Sequence, residues 1–302
     1  MLNTAQLWGA VEPVVRKHYG LEANKVASEF DKVFDVSKGK EAVRHAMEFG
    51  GPGQLQLKPE GSAMNALTMK QGPNKTFLYS VYAGEISISW ELARDVNYRA
   101  IKTVSQSLGR ATRLTPEYLA AQYLDRAFNS AYPATADGKE LCATDHLTVG
   151  TNAYDLANEM STPQALSETS LEDILTGLMT MKGPDGMIVQ VNPETLIVPA
   201  ALANTAKKLM SADKTLGSAN NDPSIVNRKS AGWNYQVFRF LGSNTRYFVK
   251  TDWPNGLFWE WDVEREFMED NSPTTLTKVY VAFFRARWGA DDPRSIYGVA
   301  AV

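Results

Sequence analysis

The only cysteine of the chain, Cys142, stands four residues before one of three histidines, His146, in the stretch ELCATDH, with Asp145 beside the imidazole. A thiolate nucleophile, an imidazole base and an orienting carboxylate are the parts of a cysteine hydrolase. Catalytic Cys and His usually meet through the fold, and four residues of a turn-rich loop fix no such geometry. A structural loop with a half-buried thiol is the plainer reading. A single cysteine rules out an intramolecular disulfide and a zinc site of several thiolates. His18, His45 and His146, with no H-E-x-x-H, do not make a histidine-rich metal site. The glycines of FGGPGQ do not follow G-x-G-x-x-G, and no G-x-x-x-x-G-K-[ST] occurs, so nucleotide binding is not signalled. Asp262, Glu264, Glu266, Glu269 and Asp270 crowd WDVEREFMED, but Arg265 is interspersed and the calcium-loop pattern is absent. A solvated or subunit-facing strand edge is the expected role of such a run. Trp253, Phe258, Trp259 and Trp261 have rings that stack on bases or sugars, although core or interface packing is the more usual fate of tryptophan. No cofactor is expected.

The elements that would hold these residues can be read from periodicity. Residues 1–49 contain a weak amphipathic run (Leu7, Trp8, Val11, Val14, Val15) interrupted by Pro13, which allows at most a short helix. This part reads as an arm. From Gly50 to Thr76 no period persists, although compact domains rarely hold a structureless loop beyond about 12 to 15 residues. TFLYSVYAGEISISWE then alternates as two strands around an Ala83-Gly84 turn. Ile101, Val104, Leu108 and Ala111, then Leu119, Tyr123 and Ala127, fall at helical spacing, with Pro116 between the two sets. Either two helices meet there or one kinks. Thr169 and Glu172 predict a capping box before a helix over Ile174 to Met181. Strands are expected at Met187 to Val191 and Thr195 to Val198, and a helix from Pro199 to about Met210. The last third predicts strands at Tyr235 to Phe240, Arg246 to Lys250, Leu257 to Trp261 and Thr277 to Trp288. The last of these is apolar on both sides, which argues for cover on both. The fold class is α+β, without the regular alternation of a doubly wound sheet.

Composition narrows the function. The chain has 302 residues, 44% of them hydrophobic and 22% charged, as a globular protein of one or two domains should. A formal charge of −3 argues against a surface dedicated to gripping nucleic acid. No apolar run reaches 18 residues, and the first residues lack the basic and apolar regions of a signal peptide. Folding in a cytoplasm, with no membrane partner, is the expectation.

Four stretches, in order along nearly the whole chain, resemble the major capsid proteins of tailed bacteriophages, in particular the Mu-like major head subunit branch. FDKVFDVSKGKEAVRHAMEFGGPGQLQLKPEG (Phe30 to Gly61) is similar to that family's arm and its glycine-marked entry into an extended loop. GEISISWELARDVNYRAI (Gly84 to Ile101) resembles the return from the loop into a long spine helix. DGKELCATDH (Asp137 to His146) resembles the loop after the spine, and NPETLIVPAALANTAKKLM (Asn192 to Met210) a strand-to-helix unit.

The resemblance implies an arm at 1–49, an extended loop at 50–84, a peripheral domain with the spine helix at 85–154 and 261–302, and an axial domain at 155–260. It implies a non-enzymatic structural protein that assembles as pentamers and hexamers into an icosahedral head around double-stranded DNA. Its partners would be many copies of itself, a separate scaffolding protein, a portal and decoration proteins, with packaged DNA a passive contact. The scaffold is expected to be separate because the chain enters the arm almost at Met1. The virion capsid, assembled in the host cytoplasm, would be its place. The expected subunit-interface residues are Phe30, Phe34, Gly50, Gly51, Gly53, Lys58, Glu60, Gly61, Lys70, Lys75, Trp259 and Trp261. Some relatives crosslink covalently, for which Lys58, Lys70 and Lys75 are available. A single long spine is usual in the family, so Pro116 predicts a kink or break. The alternatives are a cellular nanocompartment shell of the same fold and a soluble Cys/His hydrolase.

Overall fold

The long apolar strand expected near the C-terminus organises one of two four-stranded sheets. The computed structural model describes residues 4–25, 28–64, 66–95, 98–148, 155–212, 224, 226, 232–272 and 274–300. In the first sheet β10 (Leu257–Ser272) and β11 (Thr277–Ala290) form a long antiparallel pair. β4 (Ser80–Ser89) adds to β11, and β1 (Asp35–Lys38) lies parallel to the start of β10. Side chains alternate on β11: Tyr280, Ala282, Phe284 and Ala286 are buried, whereas Val279, Val281 and Phe283 are half-exposed. Cover is therefore complete on one face and partial on the other, where Arg287 and Gly289 are buried but Val279, Val281 and Phe283 are not.

That cover is helical. α3 (Tyr98–Asp125) and α1 (Thr4–Ala23) lie on the buried face. Val11, Val15, Ile88, Ile101 and Tyr280 form one cluster, and Tyr19, Ala23, Leu108 and Ala282 the next. The N-terminal segment is thus a 20-residue helix within the core, not a short helix on a free arm. Pro13 is tolerated on its exposed side while the opposite stripe is buried, and tertiary packing outweighs the lost hydrogen bond. At Pro116 the one-helix alternative holds, because α3 runs through it without a break. Around it Ala120, Ala121 and Leu124 are fully buried, and the Glu117 carboxylate accepts from the backbone N–H of Glu29 (2.8 Å) and Phe30 (3.0 Å). β4 is also unbroken. Gly84 pairs with Ala282 inside the continuous strand, so the expected Ala83-Gly84 turn is absent.

The second sheet has the order β12 (Ile296–Val299), β9 (Tyr247–Thr251), β7 (Pro193–Val198), β8 (Asn234–Val237), with β7 and β8 parallel. α4 (Glu168–Met179) and α5 (Ala203–Ser211) pack on it through Leu171, Ile174, Leu178, Ala206 and Leu209. Ser167 caps α4 in a reciprocal pair with Ser170, two residues before the expected Thr169 box. Met187 to Val191 forms no strand, only an isolated bridge from Ile188 to Lys182. β12 pairs with β9, so Ile296–Val299 joins the sheet of β7, β8 and β9 and not that of β10 and β11.

Short elements complete the described chain: α2 (Trp90–Arg94), β5 (His146–Leu147) paired with β6 (Asp155–Leu156), and the hairpin of β2 (Val43–Gly50) with β3 (Lys70–Leu78). Phe30, Phe34, Trp259 and Trp261 are buried in the chain's own core, with ring centroids 4.8 Å apart for Phe30 and Trp259. This corrects their expected interface role. Rings already enclosed by one chain have no surface left for another.

Candidate functional site: a projecting hairpin and its anchor

The segment from Gly50 to Thr76 is not structureless throughout. β2 and β3 pair from Val43 opposite Leu78 to Gly50 opposite Lys70, and residues 51–64 and 66–69 belong to the tip. The backbone turns at Gly53 and Gly61 with φ of 75° and 77°, in the left-handed region that glycine enters without a Cβ penalty. Ser62 closes a turn by donating to the Pro59 carbonyl. Lys58, Glu60 and Lys70 are exposed, as expected for residues on a projection. So are its large apolar side chains: Leu57 is 92% exposed, Met64 81%, Leu55 78% and Met69 68%. Gly50 is buried, and a Cβ on Gly51 would lie 3.0 Å from Asp185 Cβ, so these two glycines sit at the root against the body of the chain.

The root is fixed by charge and one ring. Arg44 of β2 is held between Glu260 and Asp291, with its guanidinium 4.0 Å over the Phe258 ring. The second oxygen of Glu260 accepts from Arg287 Nε at 2.6 Å. Glu48, further along β2, accepts from Arg294 Nη2 at 3.1 Å, and Arg294 also holds Asp292 and the Lys182 carbonyl. Phe77 of β3 packs edge-on against Phe258 and covers Gly289, where a Cβ would fall 2.4 Å from the ring. Burial pushes the carboxyls of Glu48 and Asp291 up from the ordinary range. Lys75 of β3 donates to the Pro133 carbonyl, and burial lowers its ammonium pKa.

Beneath the root lies a cavity of about 670 Å³, lined in part by Arg44, Glu48, Asp137, His146, Trp253 and Arg294. His146 Nδ1 lies 2.9 Å from Asp137 Oδ2, while its Nε2 is buried without a partner. Burial would raise the Asp137 carboxyl, but hydrogen bonds from His146 and Thr135 outweigh it and hold the pKa at about 2. The hydrolase parts do not come together. Cys142 is fully buried, its thiol pushed well up by burial, and Asp145 pairs with Lys139 on the surface. The acidic run is spread along β10, where Glu269 meets Arg16 and Lys278, and Asp262 meets Arg285. Among the described residues no group of three His, Cys, Asp or Glu could hold a metal ion. No helix among them is long and apolar enough to cross a membrane.

Residues 80–299 match the sequence model of a family described as phage capsid protein. The chain belongs to this family. Solved structures share the fold of this phage capsid protein over nearly its whole length. The virus-like particle from Pyrococcus furiosus has 10% identity and a TM-score of 0.56, covering 95% of this chain and 98% of that one. The capsid of Myoviridae phage XM1 has 8% identity and a TM-score of 0.55, covering 92% and 93%. The procapsid of bacteriophage JBD30 has 13% identity and a TM-score of 0.53, covering 98% and 76%. No curated protein matches the chain. The sequence marked residues 50–84 as an extended loop of this capsid protein but gave no sign of the β2–β3 pairing, nor of Arg44, Glu48 and Arg294 as its anchor. Their partners lie more than 200 positions away for Arg44 and Glu48, and no local pattern marks such pairs.

Proposed function

We propose that this capsid protein is the major subunit of an icosahedral phage head, built from pentamers and hexamers around double-stranded DNA, with the β2–β3 hairpin lying over a neighbouring copy. The hairpin carries the reading. Soluble monomers rarely leave such a run of apolar side chains open, and Leu55, Leu57, Met64 and Met69 have little cover from their own chain. The half-exposed face of Val279, Val281 and Phe283 on β11 is a second surface suited to a partner copy. In this reading Gly53, Lys58, Glu60, Gly61 and Lys70 ride on the interface loop, Gly50, Gly51 and Lys75 set its root, the spine sheet is the peripheral domain and the second sheet the axial one. The ordered motifs from Phe30 to Met210 support the Mu-like branch. A separate scaffold, a portal, decoration proteins and a place in the virion follow from the same reading.

Contacts that are modest singly, repeated by closed symmetry, suffice to close a shell. Sedimentation velocity of the purified chain, with negative-stain imaging of any fast fraction, should reveal hollow shells or discrete pentamers and hexamers. A strictly monomeric species across concentration and salt, also with a candidate scaffold added, overturns the proposal. The likeness to the Pyrococcus furiosus virus-like particle supports a second reading, a cellular shell that encloses a protein. Protein rather than nucleic acid inside the purified particles would decide for it.

A further inference from the structure

Helix α3 carries a row of cations that the chain's own acids do not meet. Arg99, Lys102, Gln106, Arg110 and Arg113 follow one another at three- and four-residue steps, which places them on one side of the helix over about 21 Å. Arg99, Lys102 and Arg110 are exposed, and Arg113 is half-buried with its Nε lacking a partner. No Asp or Glu occurs from Tyr98 to Pro116. Several cations elsewhere are matched: Arg16 with Glu269, Arg44 with Asp291, Lys250 with Asp35, Lys278 with Glu12, Arg287 with Glu260; others, such as Lys32, Lys207 and Lys208, are exposed singly and form no such row. Among the described residues none of the four cations of the α3 row makes an ion pair. The net charge of −3 therefore conceals a segregation, with acids exposed along β10 (Glu264, Glu266, Asp270) and unmatched cations along α3.

We propose that this side of α3 is a sequence-independent binding surface for the phosphate backbone of double-helical DNA. The proposal rests on the shell reading for the source of that DNA, and it replaces a passive contact with an attractive one. Two observations favour nucleic acid over a protein partner. No large apolar side chain is exposed between Arg99 and Arg113 among the described residues, whereas a protein interface needs an apolar centre. The intervening exposed positions, Thr103, Ser107 and Ala111, are small, which lets a straight row of charges approach phosphates and release counterions.

The test uses the unassembled full-length chain and a labelled 30-base-pair duplex of arbitrary sequence, read by fluorescence anisotropy between 50 and 200 mM NaCl. Each phosphate contact contributes about −0.9 to the slope of log K against log salt, so four contacts predict a loss of about a hundredfold across that range. Arg99→Gln/Lys102→Gln/Arg110→Gln should flatten the slope by about 2.7 and weaken binding at least about tenfold at 50 mM. Lys32→Gln/Lys207→Gln/Lys208→Gln removes the same charge from exposed positions elsewhere and should change binding less than about twofold. Circular dichroism and sedimentation establish that both variants are folded. Absence of duplex binding by the wild type at 50 mM, an equal loss in the second variant, or tighter capture of poly-glutamate than of the duplex overturns the inference. Shells that form from a chain that does not bind duplex would defeat this inference alone. Duplex binding through the row by a chain that never oligomerises would defeat the shell reading and leave this one standing.

Discussion

Asp137 shows how little of a residue's role is visible in its type. The sequence places it in DGKELCATDH, nine positions before His146, and the fold turns that spacing into a buried hydrogen bond at 2.9 Å. Its carboxyl falls from 3.8 to about 2, because the bonds from His146 and Thr135 overcome the cost of burial. A carboxyl with a lowered folded pKa contributes stability that is present above its unfolded pKa and lost as pH falls through the folded one. The drop corresponds to about 2 kcal/mol. Asp137→Asn should therefore be less stable than the wild type by about 2 kcal/mol at pH 7, with the two urea midpoints converging as pH falls from about 4 to 2. A constant difference across that range would deny the carboxylate this role. The same limit of legibility explains Phe30, Phe34, Trp259 and Trp261. Their aromatic character announced burial, but not whether one chain or two would supply it.

At the scale of elements, local propensity was overruled wherever a long packed face was at stake. Pro13 and Pro116 argue locally against continuous helices, yet α1 and α3 persist because their opposite faces fill the core over β11. The crossing of those two helices depends on Gly109, where a Cβ would stand 2.6 Å from the Tyr19 carbonyl oxygen. Gly109→Ala should cost about 1 to 3 kcal/mol in thermal or urea unfolding despite the better helix former, since a backbone atom must move. Gly20→Ala, with nothing within 4 Å of its Cβ, should instead gain up to about 1 kcal/mol. If both glycines respond alike, the close crossing is not what holds α1. The hairpin root gives a test with a pH signature. Arg44→Ala leaves Glu260 and Asp291 without their shared cation, at a cost of about 3 to 5 kcal/mol at pH 7. Asp291 is already raised by burial, and such a group regains stability as pH falls through its folded pKa. The Arg44→Ala deficit should shrink as pH falls from 7; a deficit that stays constant would point to packing on Phe258 as the main loss.

For the whole molecule, the order of motifs was more informative than any one of them. The family match over residues 80–299 spans three of the four ordered stretches, and the hairpin of β2 and β3 overlaps the loop expected at 50–84. The single chain could not show in advance that β12 would join β9, or that β11 would be covered fully on one face and partly on the other, because both depend on pairings between distant segments. What the chain leaves uncovered is what assembly must cover. Leu55, Leu57 and Met64 are each more than three-quarters exposed, so they stabilise the monomer little. Buried against a neighbour they would contribute about 1.5 to 3 kcal/mol each. Even the lower figure sums to about 4.5 kcal/mol per contact, or roughly two-thousandfold in association. Leu55→Ser/Leu57→Ser/Met64→Ser should unfold within about 0.5 kcal/mol of the wild type. The variant should also sediment as the small species at concentrations where the wild type forms capsomers or shells. Assembly at wild-type concentrations would place the contact elsewhere on the subunit, with the open face of β11 as the next surface to alter.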